Sequence, residues 1–364
     1  MHKKKVIIAA GGTGGHMFPA QALALELKDS GYEVLFVGAK LDSNKYFQKE
    51  LFAYHSISSS TLSSSYTRRV SAILSLFKGC IQSVKIIKHF KPDLVVGFGS
   101  FHTAPVLMGA VLLRKPFVLF ESNAWPGKVN RFFSRFAKVT AVQFSRTMAH
   151  LSGKSKQVAV PFFQRKEDRT YSRGESLSYY GLKCDVPTAL VFGGSQGASS
   201  INTSVLEVMK EISIEGIPLQ IIHFTGSKEA SDAYGTAYTE MGINSCVKPF
   251  EEKMVHAWRC ADIAICRAGA ATIAELVRFE IPAILIPFPK ASEDHQRVNA
   301  EELKSLNAAL YLTEDVLHKD SLFGAIKELS NKDRLSAMKD ALKEFKRSSQ
   351  KESLMDIVKE LLTN

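Results

Sequence analysis

The sequence predicts an α/β protein built from two doubly wound parallel sheets. Three observations carry this prediction. Short apolar runs alternate with helical patterns, the alternation stops at a polar stretch near residues 161–185 and then restarts, and each half opens on a glycine-rich turn. Strands buried on both faces read as continuous apolar runs, and helices between them imply parallel pairing. At 364 residues the chain also exceeds what one core usually organises.

In the first half, strand-like runs at Val6–Ala10, Glu33–Val37, Leu94–Gly97 and Phe117–Phe120 alternate with helical patterns such as Ala20–Lys28 and Val70–His89. After Pro161 the polar stretch QRKEDRTYSRGES intervenes. The pattern then resumes with TALVFGGSQGASS, LQIIHFTG, ADIAICRAGAAT and IPAILIPF, each an apolar strand running into a loop and helix. The segments AAGGTGGH (9–16) and VFGGSQGA (191–198) share an apolar strand end, a Gly-Gly pair, a hydroxyl residue and a further glycine. Each half therefore carries its own candidate anion loop. The predicted domains are 1–160 and 161–340, followed by a helix at 341–364 that packs back towards the first.

Charge is unevenly placed. The net +11 arises because residues 1–160 hold 22 Lys and Arg against 7 Asp and Glu, and no acidic residue occurs between Leu51 and Pro92. Such a surface suits nucleic acid or an anionic lipid leaflet. Aromatic residues do not interleave with this basic run in a stacking pattern, which argues against nucleic acid. The five cysteines are scattered without C-x-x-C spacing and read as small core residues. No run of 18 uninterrupted apolar residues occurs, and HKKK leads straight into the first strand, so the expected compartment is the cytoplasm.

The first loop is not a dinucleotide fingerprint, because Met17 stands where the third glycine is needed and the second strand ends in FVGAK without a ribose-binding acid. No Gly-Lys-Ser/Thr follows, which excludes a P-loop. What remains is a backbone cradle of Gly12, Thr13, Gly14 and Gly15 for a diphosphate, with His16 at its end. Near a helix N-terminus the charged imidazolium is disfavoured, and a neutral ring can take a proton from a hydroxyl. In the second half, Arg267 ends a strand, Gly269, Ala270, Ala271 and Thr272 start a helix, and Glu275 stands one turn further on. A carboxylate there can accept from both hydroxyls of a ribose while the helix start faces a diphosphate. Without a ligand, it is an ordinary helix glutamate. His295, Gln296 and Asn299 group after the next strand, with side chains suited to sugar hydroxyls.

The segments GGTGGHMFP, GFGSFHTAP, ESNAWPGKVNR, VFGGSQGA, CRAGAATIAE and PFPKASEDHQRVNA occur in this order, and together the chain resembles the MurG family of peptidoglycan glycosyltransferases. The resemblance implies the GT-B fold, two Rossmann-like domains with a cleft between them. It implies transfer of GlcNAc from UDP-GlcNAc to the C4 hydroxyl of undecaprenyl-diphosphate-MurNAc-pentapeptide (lipid I), with inversion, to give lipid II. His16 is then the general base, with Glu121 as competitor, and the first loop and Asn130 meet the acceptor. Asn123, Ala270, Ala271, His295 and Gln296 surround the GlcNAc, Glu275 holds the ribose, and Phe250 and the backbone of Glu251 lie near uracil. Ser195 and the helix start behind it face the UDP diphosphate, and Arg267 and Thr272 assist. The junction reads AVPFFQR where the family usually has Gly-Asn-Pro-Val-Arg, and the resemblance implies a donor-side role for Arg165 only where it stands in for that arginine.

No Asp-x-Asp metal clamp occurs, so neither metal nor cofactor is expected. The implied partners are UDP-GlcNAc, lipid I and an anionic membrane surface met through residues 66–91, on the cytoplasmic face of the bacterial inner membrane. In Val70–His89 the residues Val70, Ile73, Leu74, Phe77, Ile81 and Val84 form one helical face, expected to pack mostly on the sheet. Leu76 lies off it among Lys78, Lys85 and Lys88, and Leu76 and Phe77 are the expected lipid contacts. A UDP-GlcNAc 2-epimerase, a transferase with a soluble acceptor, and a non-catalytic UDP-sugar scaffold remain open as alternatives.

Overall fold

The computed structural model describes residues 3–60, 66–162, 171–194, 196–349 and 352–363. It divides into two compact units, Met1–Gln164 with Ser349–Asn364, and Arg165–Ser348.

The first unit contains β1 (Lys5–Ala9), α1 (Gly14–Asp29), β2 (Glu33–Ala39), β3 (Ala53–Ile57), α2 (Tyr66–Phe90), β4 (Leu94–Gly97), α3 (Ala104–Leu112), β5 (Phe117–Glu121), α4 (Lys128–Phe133), β6 (Val139–Val142) and β7 (Ser155–Gln157). Its seven strands pair in parallel in the order β3-β2-β1-β4-β5-β6-β7. Val6, Ile7 and Ile8 of β1 are fully buried because helices cover both faces. The order reverses between β1 and β4, which is where an open parallel sheet leaves a crevice beyond its strand ends. Helix α1 begins inside the glycine motif rather than at Ala20, so His16 stands in its first turn.

Helix α2 departs from expectation. Its inner side is Ala72, Gly79, Ser83 and Ile87, all buried, and it lies against α3. A Cβ at Gly79 would stand 1.8 Å from the Ser58 carbonyl oxygen, so only a small-residue face fits at this separation. The large residues therefore point outward: Ile73 is 56 %, Leu74 62 % and Phe77 66 % exposed, with Val70 and Ile81 also exposed, while Leu76 is half-buried. The face expected to pack on the sheet is a solvent-facing apolar strip. By length and composition Val70–Phe90 also suffices to cross a membrane.

The second unit contains α5 (Arg173–Tyr180), β8 (Thr188–Phe192), α6 (Ser199–Ile214), β9 (Gln220–Phe224), α7 (Lys228–Glu240), β10 (Ser245–Lys248), α8 (Met254–Cys260), β11 (Ile263–Cys266), α9 (Ala270–Phe279), β12 (Ala283–Leu285), α10 (His295–Ser305), β13 (Ala309–Tyr311), α11 (Lys319–Ser330) and α12 (Lys332–Ser349), the last of which ends at the unit boundary. Its sheet runs β10-β9-β8-β11-β12-β13, again parallel, with the reversal between β8 and β11. The expected boundary at residue 340 falls inside α12. The chain ends in α13 (Leu354–Thr363), whose Leu354, Met355, Ile357, Val358 and Leu362 join the core of the first unit beside Leu23 and Leu27 of α1.

Candidate active site

In each unit the described predicted residues lie at or beyond the carboxyl ends of parallel strands: β1 and β5 in the first, β10, β11 and β12 in the second. In the first, Thr13 is the N-cap of α1 and the next three residues, Gly14, Gly15 and His16, form its first turn. Thr13 Oγ1 lies 3.3 Å from His16 Nδ1, a contact that orients a half-buried ring. The Thr13 side chain makes no capping hydrogen bond to the backbone of this turn, and within it His16 N donates to the Thr13 carbonyl at 3.1 Å. Asn44 Nδ2 donates to the Gly12 carbonyl at 2.9 Å and fixes the loop from the neighbouring strand end.

Glu121, at the end of β5, is 4 % exposed. Its Oε1 accepts from the backbone and side-chain N–H of Asn123, each at 3.0 Å, and its Oε2 accepts from Gly127 N at 3.0 Å and Asn130 Nδ2 at 2.9 Å. With four donors already satisfying it, this carboxylate organises the 121–130 loop and presents no free lone pair for a substrate proton. Asn130 is equally enclosed. Its Nδ2 also reaches the Phe120 carbonyl at 2.9 Å, while among the described residues its buried Oδ1 accepts no hydrogen bond.

In the second unit the loop after β8 turns through Gly194 and Gly197, both at positive φ, into α6. Gly197 is irreplaceable on two counts, φ 70° and a virtual Cβ only 2.0 Å from the Thr225 carbonyl oxygen. Ser195 and Arg165 lie outside the described residues. Across the reversal point, Ala270, Ala271 and Thr272 form the first turn of α9 behind Gly269. Among the described residues neither α6 nor α9 has an N-cap side-chain hydrogen bond or an acidic residue in its first turn, the electrostatics that suit an anion at a helix start.

Glu275 follows on α9. The side chain keeps some surface, yet burial pushes its carboxyl up to about 8. Only Trp258 acts in the other direction, its buried indole Nε1 lying near without completing a hydrogen bond.

Two predicted donor-side residues are tied down by protein. Arg267 is 8 % exposed and donates Nη1 to the carbonyls of Ile286 and Pro287, each at 3.1 Å, and Nη2 to Glu314. Glu314 in turn accepts from Ser200 Oγ on α6 at 2.7 Å. Arg267 thus ties the ends of β11 and β12 to the start of α6, an anchoring that sequence reasoning missed because Glu314 is remote in the chain. Glu251 is buried, and its carboxylate serves Lys248 Nζ, Lys253 N and Tyr180 Oη. Burial opposes its charge, but these donors outweigh burial and hold the carboxyl below its usual range. Phe250 beside it is 55 % exposed.

At the start of α10, His295 and Gln296 are half-buried. Gln296 Oε1 accepts from Phe288 N at 3.0 Å, and Asn299 Nδ2 donates to the Ala268 carbonyl at 3.1 Å. Among the described residues no three His, Cys, Asp or Glu side chains gather as a metal cluster.

Residues 6–142 match the model of the glycosyltransferase family 28 N-terminal domain, and residues 188–354 that of the family's C-terminal domain. The chain belongs to glycosyltransferase family 28. A Protochlamydia amoebophila relative is 38 % identical, the match covering 98 % of this chain and 95 % of the relative. One from Natranaerobius thermophilus is 35 % identical over 94 % and 95 %. Both are named UDP-N-acetylglucosamine--N-acetylmuramyl-(pentapeptide) pyrophosphoryl-undecaprenol N-acetylglucosamine transferase. Among solved structures, Acinetobacter baumannii MurG superposes with a TM-score of 0.79 at 26 % identity, covering all of both chains. A Staphylococcus aureus MnaA–UDP structure, at 0.62 and 15 %, covers 93 % of this chain and 91 % of that one and shares the fold. Together the paired sheets, the two family 28 domains and these neighbours make the fold GT-B.

Proposed function

We infer that this family 28 chain is an inverting glycosyltransferase of peptidoglycan synthesis, moving GlcNAc from UDP-GlcNAc to the C4 hydroxyl of lipid I to give lipid II. The observation that carries the reading is the pair of uncapped helix starts, α6 and α9, flanking one reversal point with Glu275 a turn along α9. That arrangement suits a nucleoside diphosphate, and the shared name of near-full-length relatives supplies the sugar and the acceptor.

In the step itself, the acceptor C4 oxygen bonds to C1 of GlcNAc from the face opposite the diphosphate, the C1–O bond breaks, and UDP leaves. His16 takes the hydroxyl proton, and the α6 and α9 N–H groups stabilise the charge growing on the leaving diphosphate. Glu121, saturated by four donors, holds Asn123 and Asn130 in position instead of acting as base. Ser195 and Arg165 complete the donor side, Phe250 and the Glu251 backbone meet uracil, and His295, Gln296, Ala270 and Ala271 enclose the sugar. Gly12, Thr13, Gly14 and Gly15 cradle the acceptor diphosphate.

The exposed strip Val70, Ile73, Leu74, Phe77 and Ile81, flanked by Lys78, Lys85 and Lys88, supports peripheral docking of α2 on an anionic leaflet at the cytoplasmic face of the membrane. It favours a lipid-linked acceptor over the soluble-acceptor and epimerase alternatives.

UDP release with UDP-GlcNAc and a lipid I analogue tests the reading. Release is expected to require the analogue, and His16→Ala is expected to bind UDP normally while losing about 10²–10⁴-fold in kcat. Release independent of the analogue, or a fully active His16→Ala, would sink it.

A further inference from the structure

The second unit buries a histidine that the reaction above does not use. His223 on β9 is fully buried with both ring nitrogens engaged: Nδ1 lies 2.9 Å from Tyr238 Oη on α7, and Nε2 lies 3.1 Å from Asn202 Oδ1 on α6. Asn202, 4 % exposed, donates its Nδ2 to the Thr225 carbonyl at 2.9 Å. Its Oδ1 can only accept, so His223 carries its proton on Nε2 and accepts the Tyr238 hydroxyl at Nδ1. Burial holds the ring in the neutral form that this tautomer requires. Three hydrogen bonds therefore run in one direction, from Tyr238 through His223 and Asn202 to the Thr225 carbonyl, and in a low-dielectric interior each strengthens the next. The surrounding core is Val205, Val208, Met209 and Ile221. Apolar side chains would fill the same space but could not fix a carbonyl.

That carbonyl stands at a junction. The Thr225-Gly226 turn packs backbone on backbone against the glycine loop that precedes α6: a Cβ on Gly197 would meet the Thr225 oxygen at 2.0 Å, and one on Gly226 would lie 2.5 Å from the carbonyl carbon and oxygen of Gln196. On its other side the turn extends the pairing of β9 with β10, Thr225 N donating to the Lys248 carbonyl at 3.0 Å and Gly226 N to the Pro249 carbonyl at 2.9 Å. Phe250 and Glu251 follow at once. The turn is thus a spacer one backbone thick between the glycine loop and the 249–251 segment. Asn202 holds it from the helix that the loop itself begins, its own N–H closing on the carbonyl of the N-cap Ala198 at 2.9 Å.

We propose that Asn202 and His223, backed by Tyr238, are positioning residues for the donor: their hydrogen-bond chain fixes the Thr225-Gly226 spacer, and with it the separation between the loop that faces the diphosphate and the segment that faces the base. The proposal rests on the reading of those two elements as the nucleoside diphosphate site. A ligand that engages both at once is sensitive to their spacing, because its second contact is made at the effective concentration set by the first. None of the three side chains touches the ligand. They act on it through the backbone of the spacer, which explains why polar groups are buried there at all.

The test is titration calorimetry of UDP and of UMP, with steady-state kinetics of the full chain, for wild type, Asn202→Ala, His223→Leu, His223→Gln and Val208→Ala. Asn202→Ala and His223→Leu are expected to raise the UDP Kd and the KM for UDP-GlcNAc about tenfold, with the KM for a water-soluble lipid I analogue unchanged. His223→Gln, whose amide N–H can stand where the Nε2–H stood, is expected to recover most of that loss. Val208→Ala opens a cavity on the buried side of the same helix and separates stability from positioning: it is expected to lower Tm while keeping the wild-type UDP Kd. Should Asn202→Ala not fold, the two His223 variants carry the same comparison. Wild-type UDP affinity in His223→Leu, or in a folded Asn202→Ala, would overturn the proposal and leave the donor site standing, as would a Val208→Ala that weakens UDP equally. A wild type that binds UDP no more tightly than UMP would instead refute the reading of the loop as a diphosphate site, and the proposal with it.

Discussion

The proposed contact of Glu275 with the donor ribose would make donor binding a proton-linked event. With the carboxyl raised to about 8 by burial, the ligand-free protein near neutrality carries it mostly protonated. Accepting hydrogen bonds from both ribose hydroxyls requires the carboxylate, so binding selects the minor form. At pH 7 about one molecule in eleven is ionised, and at pH 6 about one in a hundred. The apparent Kd for UDP-GlcNAc should therefore rise up to about tenfold from pH 7 to pH 6, approaching 1.4 kcal/mol, with no further gain well above pH 8. These are upper values, because the side chain keeps some surface and water screens it.

Isothermal titration calorimetry from pH 6 to 9 measures the slope. Buffers of differing ionisation enthalpy should show close to one proton released per donor bound at pH 7. Glu275→Gln should bind more weakly at high pH and lose most of the slope. A flat profile with no proton release, or a variant indistinguishable from wild type, would refute the ribose assignment for Glu275.

Three further predictions follow from the packing. Replacing Phe77 and Leu74 by serine should change Tm little, since both are exposed, but should cut partitioning to anionic vesicles more than tenfold in a co-sedimentation assay. Unchanged partitioning would remove α2 from the membrane contact. Gly79→Ala places a methyl 1.8 Å from the Ser58 carbonyl oxygen and should destabilise by about 1–3 kcal/mol in urea unfolding, without changing the affinity for UDP.

His223, fully buried between Tyr238 Oη (2.9 Å) and Asn202 Oδ1 (3.1 Å), is pushed down to about 3 by burial. Because its folded pKa lies below the unfolded value of about 6.5, the unfolded chain takes up the proton first. Stability is intact above pH 6.5 and should fall by up to about 1.4 kcal/mol per pH unit towards pH 3 from this group, a slope that His223→Gln should remove from urea midpoints measured against pH.

The sequence determined the parts that depend on local chemistry. Continuous apolar runs such as VIIAA and TALVF require burial on both faces, and glycine with a hydroxyl residue at a strand end requires a tight turn into a helix. The two sheets, both glycine loops and the placement of His16 and Glu275 on helix starts were legible for that reason. Edge strands were not: Ala53–Ile57 reads AYHSI and Ser155–Gln157 reads SKQ, too polar or too short to stand out, since an edge strand buries less than a central one.

Tertiary structure alone decided which polar groups are free to meet a ligand. Glu121 and Arg267 look like reactive groups in the sequence, but Gly127, Asn130, Ile286, Pro287 and Glu314, between 6 and 47 residues away, consume their lone pairs and protons. The orientation of α2 was likewise open. Helical periodicity defines an apolar face but not what it packs on, and the close approach of Gly79 to Ser58 turned the small side inward and the large side out.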